Sequence, residues 1–208
     1  LNSFILKDVQ KEKLYDFLRE MEFNKLLSRA IGFYGETGNK KIKSANPKMQ
    51  SDTINVKGYE SITNEKELDK WLKILNEQSV IAVDTETSSL NPLEADLVGI
   101  SFSYAPNKAC YIPLTHKNIK GLKKEVVLKK IKPILEDSSI KKVGQNIKFD
   151  FLILSQNNIE ITPLEDTMLI SYTLDAGTNR HNLDTLSEIH LNHKTISYKE
   201  LVGTGKNK

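Results

Sequence analysis

Two carboxylates stand at the end of a short apolar run near the middle of the chain. Val80 to Asp84 has the composition of a buried strand, and Glu86 follows Asp84 by two residues. Side chains two apart on an extended chain point to the same side, so the two carboxylates would lie side by side. Because like charges repel, such a pair is stabilised by a cation, and its hard oxygens suit Mg²⁺ or Mn²⁺. An acidic exit from a strand into a loop is the alternative interpretation.

A second polar segment, Gly144 to Asp150, reads Gly-Gln-Asn-Ile-Lys-Phe-Asp and opens a predicted helix. Asn146 and Asp150 are four residues apart, which would place both on one face of that helix. The helix dipole also favours an acidic residue in the first turn, so Asp150 has a purely structural alternative. Phe149 lies among apolar helix residues, and packing is the simpler explanation for it.

The elements that would position these residues alternate between helix and strand. Apolar periodicity predicts helices over 63–76, 125–137, 146–156, 166–174 and 183–191, and strands over 80–84, 97–104, 109–114 and 142–144. Thr63 is the predicted cap of the first helix, the second is predicted to continue through Pro133 with a kink there, and Asn182 or His181 lies near the start of the last. His181 and His193 are predicted to be structural. The sum is a mixed α/β sheet with helices on its faces.

The chain divides into three stretches by composition. Residues 1–31 carry apolar side chains at helical spacing and predict one amphipathic helix or two short ones. Residues 32–57 collect glycine, asparagine, proline and lysine without periodicity and predict a flexible linker. Residues 58–208 are the predicted compact domain. The first residue is Leu1 and the last residues form a polar tail, so we expect a piece of a longer protein.

Composition excludes several classes of protein. The single cysteine, Cys110, excludes a disulfide framework and a zinc cluster, and it is predicted to be inert core in a reducing compartment. No run of apolar residues has the length of a membrane span, so we expect a cytoplasmic protein without a membrane partner. Net charge is +3, and only three of the 30 basic residues are arginine. Lysine density therefore reflects composition more than nucleic-acid binding.

Together, the two acidic segments resemble the proofreading 3′-5′ exonuclease domain of bacterial DNA polymerase I, within the DEDD superfamily of ribonuclease-H-like nucleases. Val83 to Thr87 resembles the first motif of that family, and Gly144 to Asp150 the second, with Phe149 where tyrosine is common. Further similar segments follow in the same order at 166–169, 177–181, 183–186, 193–196 and 203–207. The helix around 20–23 resembles the tail that joins the family's 5′-nuclease domain to the rest.

The resemblance implies a ribonuclease-H-like mixed sheet flanked by helices and a two-metal hydrolysis. Asp84, Glu86 and Asp150 would be the catalytic residues and the ligands of two divalent cations, Mg²⁺ or Mn²⁺. Asp84 and Glu86 would hold one cation, Asp84 would also reach the second, and Asp150 would position the second through water. The implied product is a 5′-mononucleotide released from the 3′ end of DNA.

The resemblance also implies a set of substrate contacts. These are Thr85, Leu90, Gln145, Asn146, Phe149, Arg180 and Tyr198. Leu90 and Tyr198 would press on the terminal bases, Gln145 and Asn146 would hold the strand, and Arg180 would meet a phosphate. Ordinary packing is the alternative for Leu90 and Tyr198, and an exposed surface side chain is the alternative for Arg180.

The family's third motif, a tyrosine followed four residues later by an aspartate, has no match here. Tyr172 is followed at that spacing by Ala176, and Tyr198 by Val202. We therefore expect the last helix of the family fold to be lacking, an apolar patch of the sheet to be uncovered, and activity to be weak or absent in this chain.

The expected partners are DNA 3′ ends and the remainder of a polymerase chain, with the chain itself a nucleoid-associated monomer. Two alternatives stay open: a catalytically silent DNA-binding or spacer domain, and an RNA-trimming exonuclease similar to ribonuclease D. Retention of Asp84, Glu86 and Asp150 argues against the first. The stretch from Arg180 to Asn207 favours the polymerase family over the second.

Overall fold

A computed structural model describes residues 8–36, 58–115, 121–196 and 200, and the chain divides into two compact units, Leu1–Lys48 and Met49–Lys208. The first unit contains two helices, α1 (Lys11–Glu20) and α2 (Asn24–Tyr34). Two short helices are thus formed rather than one. Residues 32–34, predicted as linker, belong to α2 because the helical pattern continues through them. Most of the predicted linker, residues 37–57, lies outside the described residues.

The second unit is built on a six-stranded sheet. Its strands are β1 (Tyr59–Ser61), β2 (Val80–Thr87), β3 (Leu97–Ala105), β4 (Lys108–Pro113), β5 (Lys141–Gly144) and β6 (Leu164–Asp166). Their order is β1-β4-β3-β2-β5-β6, with β2, β3 and β4 antiparallel and the pairs β1–β4, β2–β5 and β5–β6 parallel. The predicted mixed sheet is confirmed. β1 and β6, the two edge strands of the sheet, were not predicted.

Within residues 58–115 and 121–196, five helices accompany the sheet: α3 (Glu65–Asn76), α4 (Lys124–Leu135), α5 (Lys148–Gln156), α6 (Thr167–Leu174) and α7 (Leu183–Leu191). The prediction that Thr63 caps α3 is wrong, since the Asn64 side chain accepts the hydrogen bond from the Glu67 N–H at 3.0 Å. The predicted helix over 166–174 begins one residue later, because Asp166 ends β6 and caps α6 through the Met168 N–H.

The core lies between one face of the sheet and the helices packed on it. Side chains of α3, α4 and α5 meet the inward residues of β2, β3 and β4, with Trp71 and Ile131 among the most buried. Cys110 belongs to this core, as predicted. Burying these side chains is the main source of the unit's stability.

Lys142 on β5 is a buried basic residue in this apolar setting. It is 0% exposed, and its Nζ donates to the backbone oxygens of Asp137 at 2.7 Å and Ile140 at 2.6 Å. Burial lowers the pKa of its ammonium group. Lys142 thus ties together the turn between α4 and β5 through two of its backbone carbonyls.

None of the helices formed by the described residues has the length and apolar character needed to cross a bilayer.

Candidate active site

Asp84 and Glu86 lie on the outer face of β2, which lies between β3 and β5 in the sheet. Burial alternates along this strand, so Ile81, Val83 and Thr85 face the core while the two carboxylates face outward together. The expected side-by-side placement is therefore confirmed by the alternation of the strand. The strand continues to Thr87, so the carboxylates lie within it rather than at its exit. A central strand of the sheet holds both groups.

Asp150 is brought to the same strand by α5. It is 3% exposed, and its Oδ1 accepts hydrogen bonds from the Thr85 N–H at 2.8 Å and the Thr85 hydroxyl at 2.6 Å. Pairing between β2 and β5 stops at Ala82, so beyond that residue this edge of β2 is open to a side-chain acceptor. Thr85, which donates both hydrogen bonds, lies between Asp84 and Glu86 in the chain.

Electrostatics connect the three carboxyl groups. Burial, followed by the charges of Asp150 and Glu86, raises the pKa of Asp84 to about 6. Burial also raises the pKa of Asp150, while its hydrogen bonds from Thr85 act in the opposite direction. Because Asp150 acts on Asp84 through space, acidic residues from two distant stretches of sequence share one electrostatic environment.

The loop between β5 and α5 is held by Asp166, which the sequence analysis did not single out. Its carboxylate accepts hydrogen bonds from the backbone N–H groups of Asn146 at 3.0 Å and Ile147 at 3.1 Å, besides capping α6. Asn146 has a φ of 58°, so it precedes the helix, and its predicted place on the helical face with Asp150 is wrong. An aspartate directly before an apolar helix is a cap signal that could have identified Asp166.

Gln145 lies on the same loop with both ends of its amide engaged. Its Nε2 donates to the backbone oxygen of His181 at 2.7 Å, and its Oε1 accepts from the Thr167 hydroxyl at 2.5 Å. Gln145, Thr167 and Asp84 all line a groove of about 340 Å³ over the outer face of the sheet. The second motif and the first carboxylate thus border one open space.

Tyr111 crosses the outer face next to Glu86. Gly99 stands directly opposite Glu86 in the β2–β3 register, and a Cβ added to Gly99 would lie 1.9 Å from the Tyr111 hydroxyl oxygen. Burial, and then the charge of Glu86, raises the pKa of Tyr111. Glycine at position 99 therefore gives the phenol ring its place beside the carboxylates.

The remaining predicted contacts are distributed around this site. Leu90 is 95% exposed on the loop after β2, whose ends are joined by the Ser88–Asp96 hydrogen bonds. Phe149 is half-buried and packs against the small cluster that contains Leu97. Arg180 is exposed. Tyr198 lies outside the described residues. The Thr85 hydroxyl holds Asp150, and a direct contact between Thr85 and substrate stays a prediction.

An uncovered apolar patch on the sheet stays a prediction. The outer face of the sheet carries Asp84, Glu86 and the serines of β3 that pair opposite β2. Large exposed apolar side chains occur instead on α6 and α7, among them Leu169, Leu174 and Leu191. A groove of about 610 Å³ between α5, β6 and α6 includes none of the three carboxylates.

The donor set fits a hard divalent cation only in part. Asp84 and Glu86 lie side by side on one strand, and burial with the anionic neighbours raises the pKa of Asp84 to about 6, so added positive charge is favourable here. Within residues 8–36, 58–115 and 121–196, however, no three or more histidine, cysteine, aspartate or glutamate side chains are gathered closely enough to hold an ion.

Comparison of the sequence with known families gives a match to the 3′-5′ exonuclease family over residues 59–208. The chain is 40% identical over 168 residues to DNA polymerase I of Rhizobium leguminosarum, covering 71% of this chain and 16% of that protein. It is 35% identical over 202 residues to DNA polymerase I of Pseudomonas aeruginosa, covering 94% of this chain and 22% of that protein. The chain thus spans about a fifth of these relatives or less.

Solved structures show the same fold. Escherichia coli RNase D, an exoribonuclease involved in structured RNA processing, matches with a TM-score of 0.53 and 19% identity, over 68% of this chain and 35% of that one. Brucella melitensis NrnC with bound Mg²⁺ matches with a TM-score of 0.50 and 23% identity, over 71% and 68% of the two chains. These similarities support a mixed sheet flanked by helices.

Proposed function

Since the chain belongs to the 3′-5′ exonuclease family of DNA polymerase I, we propose that it removes 5′-mononucleotides from the 3′ end of DNA. The hydrogen bonds from Thr85 to Asp150 carry this proposal. They bring the carboxylate of the second motif to the strand that presents Asp84 and Glu86. Phosphodiester hydrolysis needs such a group of acidic side chains beside an open groove.

Two divalent cations, Mg²⁺ or Mn²⁺, are the proposed cofactors. Asp84 and Glu86 would hold the first, Asp84 would also reach the second, and Asp150 would act on the second through water. When bound, the cations would lower the pKa of water and neutralise charge on the phosphate. The Thr85 N–H and hydroxyl hold Oδ1 of Asp150 and so fix the orientation of its carboxylate.

The chain's own residues would bind and orient the DNA. Leu90 offers an exposed apolar surface on which a terminal base of any sequence could pack. Gln145 and Asn146 offer amide groups on a loop that Asp166 fixes, and Arg180 offers a charge for a phosphate. Phe149 and Tyr198 are proposed to contact the DNA on the strength of the family pattern alone.

The domain organisation and setting follow from the same proposal. Residues 1–31 would be a helical remnant between this domain and a 5′-nuclease domain, and residues 58–208 the exonuclease domain. The remainder of a polymerase chain would be the partner, in the cytoplasm. The third motif has no match in the 208 residues. We therefore expect slow hydrolysis, with Asp84 and Glu86 holding the first cation without that motif's aspartate.

The test is a single-turnover assay with the chain in excess over DNA. A 5′-labelled single-stranded DNA with a free 3′ hydroxyl is incubated with Mn²⁺, and products are resolved by length over hours. A ladder that shortens from the 3′ end is expected. The matched control is the double variant Asp84→Asn/Glu86→Gln, which should leave the DNA intact.

The same assay with RNA separates the alternatives. Equal rates on RNA would favour an RNA-trimming enzyme, and binding of DNA without any shortening would favour a silent DNA-binding domain. Trimming that persists in the double variant would contradict the assigned site.

A further inference from the structure

His181 is a buried histidine with specific partners. Its ring is held within the second unit, with the residue 6% exposed, and its Nδ1 shares a hydrogen bond with the Ser171 hydroxyl at 2.8 Å. The ring also stacks on Tyr172, with centroids 3.8 Å apart and planes inclined by 37°. Ser171 and Tyr172 belong to α6, so the ring fastens the segment before α7 back onto that helix.

The backbone of the same residue holds Gln145. The His181 carbonyl oxygen accepts from Gln145 Nε2 at 2.7 Å, while Thr167 at the start of α6 donates to Gln145 Oε1 at 2.5 Å. A carboxamide has two N–H donors and one oxygen acceptor. The His181 carbonyl can only accept, so it fixes which end of the amide faces it, and a flip would lose that hydrogen bond. The second N–H of Nε2 takes no part in these two bonds.

This fixed amide borders the groove of Asp84. Gln145, Thr167 and Asp84 line the same space of about 340 Å³ over the outer face of β2. Arg180 directly precedes His181 and is exposed, so the segment that His181 anchors also presents a positively charged guanidinium group. A fixed amide donor and a guanidinium group are suited to a strand's phosphates and sugar.

We propose that His181 is a positioning residue for the DNA 3′ end, which anchors the segment 178–182 on α6 and thereby directs the free N–H of Gln145 toward the bound strand. The inference rests on the proposed function. The imidazole ring of His181 holds the segment on α6, and the backbone carbonyl of His181 holds the Gln145 amide. Replacing the ring leaves the carbonyl in the chain but releases the segment that presents it.

The test measures binding rather than turnover, so slow hydrolysis does not affect it. The probe is a 5′-fluorescein oligothymidylate with a free 3′ hydroxyl, titrated in EDTA and followed by fluorescence anisotropy. His181→Ala should weaken binding about 5- to 10-fold, the effect of losing one hydrogen bond. Gln145→Ala should weaken it by a similar factor, and the double variant by no more than either alone.

Two further variants separate positioning from folding. His181→Asn keeps a polar group near the place of Nδ1 and should retain most of the affinity. His190→Ala, a histidine exposed on α7, is the matched control and should bind like the parent chain. If His181→Ala does not fold, Ser171→Ala removes the anchor's hydrogen bond alone and should show a smaller loss that is also non-additive with Gln145→Ala.

The outcomes are distinct. The positioning role would be overturned if His181→Ala bound the oligonucleotide like the parent chain. It would also be overturned if the losses from His181→Ala and Gln145→Ala were additive. If His181→Ala does not fold, the same two criteria apply to Ser171→Ala. A parent chain that binds the oligonucleotide no better when its 3′ end is free than when it is blocked would overturn the proposed function instead.

Discussion

The two faces of β2 differ in role: the inward side chains stabilise the core, and the outward side chains form the candidate active site. Inward, Ile81 and Val83 are buried against α3 and α4 and stabilise the fold. Outward, Asp84 and Glu86 lie on the exposed face, Asp84 lines the groove, and burial together with neighbouring charges raises the pKa of Asp84 to about 6. Burial of the inward side chains stabilises the fold, whereas burial and neighbouring charges make the ionised form of Asp84 unfavourable. A site for chemistry depends on this support from the opposite face.

Thr85 joins the two faces. It points inward and is buried, yet its hydroxyl and N–H hold Asp150, a carboxylate assigned to the chemistry. Thr85 therefore belongs to the stabilising inner face and also supports the candidate active site.

The outer face should affect activity without affecting stability. Glu86→Gln removes a charge from an exposed position, so Mn²⁺-dependent trimming of the DNA 3′ end should fall about 10²- to 10³-fold. The midpoint of urea unfolding without metal should stay within about 0.5 kcal/mol of the parent. A second readout is thermal stabilisation by Mn²⁺, which should diminish. Unchanged trimming would remove Glu86 from the site.

The inner face should affect stability without affecting the chemistry. Ile81→Ala leaves a cavity in the core and should lower the free energy of unfolding by about 2–5 kcal/mol, with Ile81→Val costing about 0.5–1.5 kcal/mol. Urea denaturation measures both. Trimming by Ile81→Val, normalised to folded protein, should equal that of the parent. If Ile81→Val lost more trimming activity than folded protein, the inner face would also affect the chemistry, and the separation of roles between the two faces would be contradicted.

Thr85→Val should affect both quantities. The variant keeps the shape of the side chain but removes the hydroxyl donor to Asp150, so stability should fall by about 1–3 kcal/mol and trimming should slow. Thr85→Ser restores the hydroxyl and should recover most of the trimming rate. If the valine and serine variants trimmed equally fast, the hydroxyl would have no part in holding Asp150.

The pH dependence of stability should report on Asp84. Its pKa is raised from 3.8 to about 6 in the folded chain, so the folded state binds the proton more tightly. The favourable contribution is present below pH 4 and is lost as pH rises through about 6. Asp84→Asn should therefore stabilise the chain by about 1–2 kcal/mol at pH 7.5, allowing for solvent screening, and by little at pH 4. Urea unfolding in EDTA at both pH values measures it, and equal effects at both would contradict the shift.

Rules of local geometry predicted most of the framework. Alternation along an extended chain placed Asp84 and Glu86 on one face, and apolar periodicity gave α7 with its observed bounds. Asn64 could have been recognised as the cap of α3, because Glu67 stands three residues after it, where a capping box has its acidic partner. β6 has only three residues and could not be recognised from its own pattern.

Contacts between distant residues could not be predicted in the same way. Asp150 meets Thr85 across 65 positions of sequence, and Gln145 meets His181 across 36. Asn146 has a left-handed φ of 58°, and its N–H donates to the Asp166 carboxylate 20 residues away. The family resemblance indicated which residues assemble, and the structure shows the hydrogen bonds by which they do so.

Lys142 sets a limit on how this chain can change over evolution. Only three of its 30 basic residues are arginine, and on the surface one basic residue can replace the other because the charged group stays in water. At Lys142 the ammonium group is enclosed by two backbone carbonyls, a space in which a planar guanidinium has no matching geometry. In related chains from arginine-rich organisms, this position should keep its lysine while the others drift.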